Sequence, residues 1–206
     1  MKNIAFILVL FFGVNAWAQD VHFSQFKTSS FLLNPALVGA QNNDYKASLQ
    51  RKSQWASVSV PFNTLSLSLE RKDIFPSHNI GIQFLNDIAG DSRFKTAGIT
   101  LAYAKKVAVR NDNIISVGAE IGFFQRSLVF DDLVFNEPEN LSNLNFMFPD
   151  VAIGIANFYE INKQTILQSG IALYHINKPK QSLTDNDAIR LQQKMNIHTT
   201  LNYAYT

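Results

Sequence analysis

The chain has 206 residues, no cysteine and a formal net charge of +2 at pH 7. The nearly neutral charge gives no support for a nucleic-acid partner. The absence of cysteine excludes disulfide bonds and the lipid-attachment cysteine of a lipoprotein. Stability therefore has to come from packing and hydrogen-bonded secondary structure.

The N-terminus has the parts of a secretory signal peptide. A lysine precedes an apolar run at positions 4–14, and Ala16-Trp17-Ala18 is a small-residue cleavage motif. The apolar run is too short to cross a bilayer as a helix. We therefore predict a signal peptide at residues 1–18, cleaved after Ala18, and an exported mature domain at residues 19–206.

The mature chain begins with a segment that has no strand pattern. Pro35 fixes its own φ angle and pushes Asn34 toward extended geometry, which predicts a turn. We interpret residues 19–44 as an irregular periplasmic lead-in to the strands and loops at 45–206. Two roles are open for the lead-in, a plug of a barrel lumen and a contact with a partner.

From residue 45 onward, apolar side chains recur at every second position, which is the period of a β-strand. Between Thr64 and Glu70, for example, leucine alternates with polar residues. The alternation predicts about eight strands with one apolar face and one small or polar face. A soluble sandwich would show the same pattern. The predicted connections are residues 52–63, 71–78, 86–95, 105–113, 127–150, 160–165 and 175–193.

The lengths of these connections alternate. Outer-membrane barrels have long external loops and short periplasmic turns in this way, which predicts an N-terminus in the periplasm. Beyond residue 18 no apolar run reaches the length of a spanning helix, so only strands could cross a membrane. The sequence therefore favours an all-β, antiparallel, transmembrane outer-membrane β-barrel, with residues 127–150 and 175–193 as candidate external contact regions.

Short motifs occur in order along most of the mature chain. They are Gln19 to Gln25, Leu33-Asn34-Pro35-Ala36 with Gly39, Gln50-Arg51 with Gln54-Trp55, Pro61-Phe62-Asn63-Thr64, Asn86-Asp87 with Gly90, Gln125, Asp131-Asp132-Leu133, Phe148-Pro149-Asp150 with Gly154, and His175 through Pro179. In order and spacing they resemble the PorP/SprF-type membrane proteins of the Bacteroidetes type IX secretion system. Val21 and the missing tyrosine before Arg51 depart from the family pattern. Members of the family are longer and have more strands, so two alternatives are open, a closed eight-stranded barrel and an incomplete, C-terminally truncated barrel.

The resemblance implies a non-enzymatic outer-membrane component of type IX secretion. Such a protein supports export or cell-surface attachment of secreted proteins, including adhesins in gliding motility. Its implied partners are outer-membrane lipid, other type IX secretion or gliding components, and a secreted surface protein. A passive porin-like channel and a soluble periplasmic β-sandwich binding protein are the alternatives, although eight strands are too few to enclose a water-filled lumen.

A search for reactive chemistry finds no catalytic, cofactor-binding or metal-binding residues, and it assigns no partner-binding residues. The four histidines have no metal-ligand spacing. Adjacent Asp131 and Asp132 would point apart in an extended chain, which argues against paired catalytic carboxylates. The remaining expectations concern single residues. Gly118 and Gly122 are expected to allow curvature or close packing, Glu120 and Gln125 to face the lumen, and Lys178 and Lys180 to lie in an external loop.

Overall fold

The computed structural model describes residues 20–57, 60–90, 94–128, 144–181 and 189–204. Eight strands form one sheet in which each strand pairs with the next along the chain, and every pairing is antiparallel. The strands are β1 (Tyr45–Gln54), β2 (Phe62–Phe75), β3 (His78–Ala89), β4 (Phe94–Arg110), β5 (Asn113–Leu128), β6 (Leu144–Asn162), β7 (Thr165–Tyr174) and β8 (Lys194–Tyr203). The sheet is curled, and the predicted all-β fold is confirmed.

The strands are longer and the turns tighter than the sequence pattern predicts. The connections β2–β3, β4–β5 and β6–β7 have only two residues each, at 76–77, 111–112 and 163–164. Pairing continues beyond the last alternating residue because the ladder is held by backbone hydrogen bonds, which need no apolar side chain. The alternation of side chains therefore underestimates the length of these strands.

The two candidate external regions also contain β-structure that the sequence pattern does not predict. Strand β5 extends to Leu128 and β6 begins at Leu144, so both ends of region 127–150 are strand, and residues 129–143 lie outside the described part of the chain. Region 175–193 contains a short antiparallel bridge between Lys180 and Arg190. Residues 182–188 lie outside the described part.

The lead-in has short helical turns in place of strands. Helix α1 (Ser30–Leu33) lies between two 3-10 turns, Phe26–Thr28 and Pro35–Leu37. Because Phe31 and Val38 pack with Ala102 and Ala104 of β4, the main apolar core lies between the lead-in and one face of the sheet, here called the inner face. No helix in the described part of the chain is long and apolar enough to cross a membrane.

The opposite, outer face is apolar and exposed. On β4, Ile99 and Leu101 are 50% and 53% exposed, and Lys95 and Lys105 flank them at outward positions of the same strand. The stretch between the two lysines is about as long as the nine to eleven residues of a tilted spanning strand. We therefore expect this face to contact lipid.

A charge near the middle of the outer face tests this expectation. Ile121 of β5 pairs with Leu101 in the apolar band and is 43% exposed. If the face contacts lipid, Ile121→Lys should lower the free energy of unfolding by about 3 kcal/mol, and Val109→Lys beside the β4–β5 turn by less than about 1 kcal/mol. Urea titration of the barrel in lipid vesicles measures both, and equal small effects would contradict lipid contact.

Candidate functional site

The inner face has a trench of small residues across its middle strands. The pairing register places Ala104, Gly118, Gly154 and Ala172 side by side on β4, β5, β6 and β7. A Cβ atom on Gly118 would overlap the backbone nitrogen of Ala36, and one on Gly154 would overlap the side-chain oxygen of Asn34. Gly118 and Gly154 therefore let the lead-in approach the sheet more closely than any residue with a side chain would.

Asn34 fixes the lead-in in this trench. It is completely buried, and its Nδ2 donates hydrogen bonds to the carbonyl oxygens of Ile155 at 3.0 Å and Ile171 at 3.2 Å. The same nitrogen lies 3.1 Å from Nε2 of His198. Its Oδ1 accepts a hydrogen bond from the Ala36 nitrogen at 2.9 Å and so caps the turn that begins at Pro35. One side chain thereby connects the lead-in to β6, β7 and β8.

Glu70 of β2 holds the lead-in at two further points. The carboxylate is 2% exposed and accepts hydrogen bonds from the Ser30 hydroxyl and the Gly39 nitrogen, both at 3.0 Å. Lys46 of β1 donates to it at 3.0 Å and balances its charge. Because Ser30 and Gly39 flank the Asn34 turn, Glu70 closes the turn into a fixed loop. Buried carboxylates are stable only when paired and hydrogen-bonded in this way.

Strands at both edges of the sheet also contact the lead-in. Asn196 of β8 donates to the carbonyl oxygens of Leu32 and Leu33 at 3.0 and 3.1 Å, and Gln50 of β1 donates to Thr28 at 2.6 Å. The lead-in therefore makes contacts from the first strand to the last. The lead-in thus occupies the inner face of the sheet, and the two roles left open by the sequence remain predictions.

A charged cluster fixes the start of the lead-in. His175 lies directly after β7 and is clamped between two carboxylates, with its Nδ1 2.8 Å from Asp150 and its Nε2 2.7 Å from Asp20. Lys194 of β8 is 2.9 Å from the same Asp20 oxygen. The carboxylates lie on opposite sides of the imidazole and do not converge on one point. Consistently, the described residues contain no group that could hold a metal ion.

The ion pairs shift the pKa values of this cluster. Burial by itself lowers the pKa of His175, but the hydrogen bonds with Asp150 and Asp20 outweigh it and raise the pKa from 6.5 to about 9. Burial by itself raises the pKa of Asp20, but the hydrogen bond from His175 and the charge of Lys194 hold it well below its usual range. At neutral pH the cluster therefore contains an imidazolium between two carboxylates.

These shifts predict a pH dependence of lead-in attachment. Because the folded protein raises the pKa of His175, the histidine stabilises lead-in attachment fully at pH values below 6.5. This stabilisation is lost as the pH rises through about 9. We expect hydrogen-exchange protection around Asp20 to fall over that range. His175→Asn keeps a side chain that tolerates the positive φ of 57°, yet it should remove about 2 kcal/mol of protection at neutral pH and abolish the pH dependence.

The control for this experiment is His78→Asn. His78 lies at the β2–β3 turn, where its ring contacts Tyr103, and it makes no contact with Asp20 in the described part of the chain. Its replacement should leave the pH profile unchanged. Equal pH profiles for the native protein and His175→Asn would contradict the assigned role of His175.

The structure tests the single-residue expectations individually. Gly118 provides close packing as predicted, and a Cβ on Gly122 would meet the Phe124 ring. Glu120 lies on the inner face, in register with Ala102 and Ala152. The expectation that Gln125 faces the lumen is wrong. Gln125 lies on the outer face, as Phe123 does, and is in register with exposed Met147. Its amide donates to Asn145 beside it at 3.0 Å.

Several motifs that are far apart in the sequence meet at this site. Asp20, Asp150 and His175 form one cluster, and Asn34 lies against Gly154. A comparison with protein families gives a consistent result, since the model of the type IX secretion system membrane protein PorP/SprF matches residues 15–206. The chain belongs to the PorP/SprF family. No curated protein and no solved structure matches it.

Some contact residues of this PorP/SprF protein were not predicted from its sequence. Side-chain alternation along the strands places three of them on the inner face, and this placement could be predicted. They are Glu70, Lys194 and His198. Nothing in the pattern showed which inner residues contact the lead-in, because those contacts depend on how the sheet curls. The one available signal was the polar character of Glu70 and His198 at positions that face away from the apolar side.

Proposed function

We propose that this PorP/SprF protein is a non-enzymatic outer-membrane component of the type IX secretion system that supports export or surface attachment of secreted proteins. The observation that carries the proposal is the family match over residues 15–206. The proposed partners are outer-membrane lipid, other type IX secretion or gliding components, and a secreted surface protein such as an adhesin. In this proposal the chain is exported by a signal peptide cleaved after Ala18, and the lead-in lies on the periplasmic side.

The exposed apolar face of the sheet supports a membrane location. Leu67, Leu69, Ile80 and Ile82 on neighbouring strands are each between 39% and 53% exposed. Such a continuous apolar surface is unusual for a protein surrounded by water. Within the described residues only one sheet is present, so no second sheet covers this face as the sandwich alternative requires.

The seated lead-in bears on the channel alternative. An aqueous path would have to run along the inner face, and the lead-in occupies that face through Asn34, Phe31 and Val38. A scaffold that holds other components needs a rigid body and no open path. Single-channel recording in planar bilayers separates the two roles, since sustained conductance of the native protein would favour the channel.

Deletion of the gene in its natural host tests the proposed function. We expect secreted proteins to accumulate in the periplasm and surface adhesins to be lost, because an export component is missing. A plasmid copy of the native gene should restore both. A matched copy with Ala119→Val, an outward position on β5, should restore them equally. Unchanged secretion and surface attachment in the deletion strain would overturn the proposal.

A further inference from the structure

The charged side chains of the strands are divided between the two faces of the sheet by their sign. Away from the register shifts beside the turns, the outward positions of the described strands hold no carboxylate, whereas carboxylates such as Glu70 and Glu120 face inward. Four cationic side chains occupy outward positions, and they are Arg51, Arg71, Lys95 and Lys105. The outer face is therefore apolar with cationic borders, and it attracts anions.

Arg71 and Lys105 lie near each other at the end of the sheet that has the two-residue turns. Arg71 of β2 pairs with Ile80 of β3, which pairs with Tyr103 of β4. Lys105 follows two residues after Tyr103, so the Cα atoms of the two cations are about 12 Å apart, at about 4.8 Å between strands and about 3.4 Å per residue. Both side chains are long, and their cationic groups can contact one anion placed between them.

Both cations are available to a ligand. Within the described part of the chain, neither Arg71 nor Lys105 forms an ion pair with a carboxylate. The guanidinium of Arg71 lies 5.4 Å from the centroid of the Tyr45 ring, and such a contact restrains the guanidinium without using its N–H donors. Guanidinium and ammonium groups bind phosphate oxygens through charge-assisted hydrogen bonds. The pair therefore fits a phosphate group.

Two apolar hollows in the outer face begin beside these cations. The first, of about 860 Å³, runs from Arg71 to Ile121 in the middle of the apolar band. The second, of about 570 Å³, lies beside Lys105. Tyr103 and Ala119 line both hollows, and Ala119 adds only a methyl group to the wall that they share. A twisted sheet is concave along its strands even on its outer side, so the hollows run from the border of the band toward its middle.

A ligand that fills a phosphate site and two adjacent apolar hollows has one phosphate and two apolar chains, as a phospholipid does. We propose that the outer face binds an anionic phospholipid, with its phosphate at Arg71 and Lys105 and its acyl chains in the two hollows. A zwitterionic headgroup fits less well, because its own cation lies beside the phosphate and is repelled by the two side chains. The inference rests on the proposed membrane location and adds the class of lipid.

Native mass spectrometry of the purified protein in detergent tests the proposal. Phosphatidylglycerol and phosphatidylcholine with identical acyl chains are titrated separately at low ionic strength. We expect phosphatidylglycerol to bind at least about tenfold more tightly, and Arg71→Gln combined with Lys105→Gln to remove this preference. Equal affinity of the native protein for the two lipids would overturn the proposal, whether or not the double variant folds.

The matched control is Arg51→Gln combined with Lys95→Gln. It removes the same charge from the outer face at residues that line neither hollow, so it should keep the preference for phosphatidylglycerol. The migration of unheated protein on a gel shows whether each double variant is folded. An equal loss of preference in both double variants would indicate general charge attraction and contradict a defined site.

Glycerol 3-phosphate distinguishes a lipid from a free phosphate as the ligand. It has the phosphate without the acyl chains, so we expect it not to displace bound phosphatidylglycerol at equal concentration. Displacement would overturn the lipid as the ligand. None of these measurements involves secretion, so a failure here is distinct from a failure of the deletion experiment.

Discussion

Asn34→Ala should lower the free energy of unfolding by about 4 kcal/mol. The substitution leaves the part-buried carbonyl oxygens of Ile155 and Ile171 without their side-chain donor and removes the buried cap of the Pro35 turn. Each lost buried hydrogen bond costs about 1 to 3 kcal/mol when its partner stays buried. The shift of the urea midpoint, followed by the migration of unheated protein on a gel, measures the effect.

The control for Asn34→Ala is Asn43→Ala in the same lead-in. Asn43 is exposed, so its replacement should change stability by less than about 0.5 kcal/mol. Asn34→Asp is a second test, because it keeps the capping oxygen and removes both donors. A stable Asn34→Asp protein would show that the cap, and not the strand-crossing hydrogen bonds, fixes the lead-in.

Gly118→Val should have the largest effect of any substitution considered, above about 5 kcal/mol. Its Cβ would overlap the backbone of Ala36, and backbone atoms of a fixed turn cannot move aside as a flexible side chain can. We expect the lead-in to leave the trench while the strands remain paired. Limited proteolysis should then cleave the lead-in, which the native protein protects.

Ala119→Val is the matched control, one residue further along β5. Ala119 faces the apolar side and is exposed, so the added methyl groups meet no lead-in atom. Valine also suits a strand. Equal protease resistance of the lead-in in both variants would show that Gly118 does not admit it, and would contradict the trench.

Most of the fold could be predicted from the sequence, because strand alternation is a local property. Leucines at positions 65, 67 and 69 determine which face of β2 is apolar without information from other strands. Turn positions were predicted less well, since pairing near His78 and Arg110 continues where side chains no longer alternate. Gln125 was assigned to the wrong face of β5, because two successive phenylalanines precede it and obscure the alternation.

The inner site could be predicted only in part. The sequence indicated a turn at Asn34-Pro35 and close packing at Gly118, and both are present. It could not indicate that Asn34 lies against Gly154, since such a contact depends on the curl of a sheet and not on neighbouring residues. Likewise, the sequence could not indicate that His175 binds two carboxylates, because these partners come from distant parts of the chain.

The contacts of Asn34 have a consequence for how the protein acquires its structure. They join it to residues 121, 137 and 164 positions later in the chain. Contacts between such distant residues form slowly, because a long loop has to close first. We therefore expect the lead-in to be among the last segments to be seated, after β6, β7 and β8 are paired. During that interval the lead-in is open to proteases.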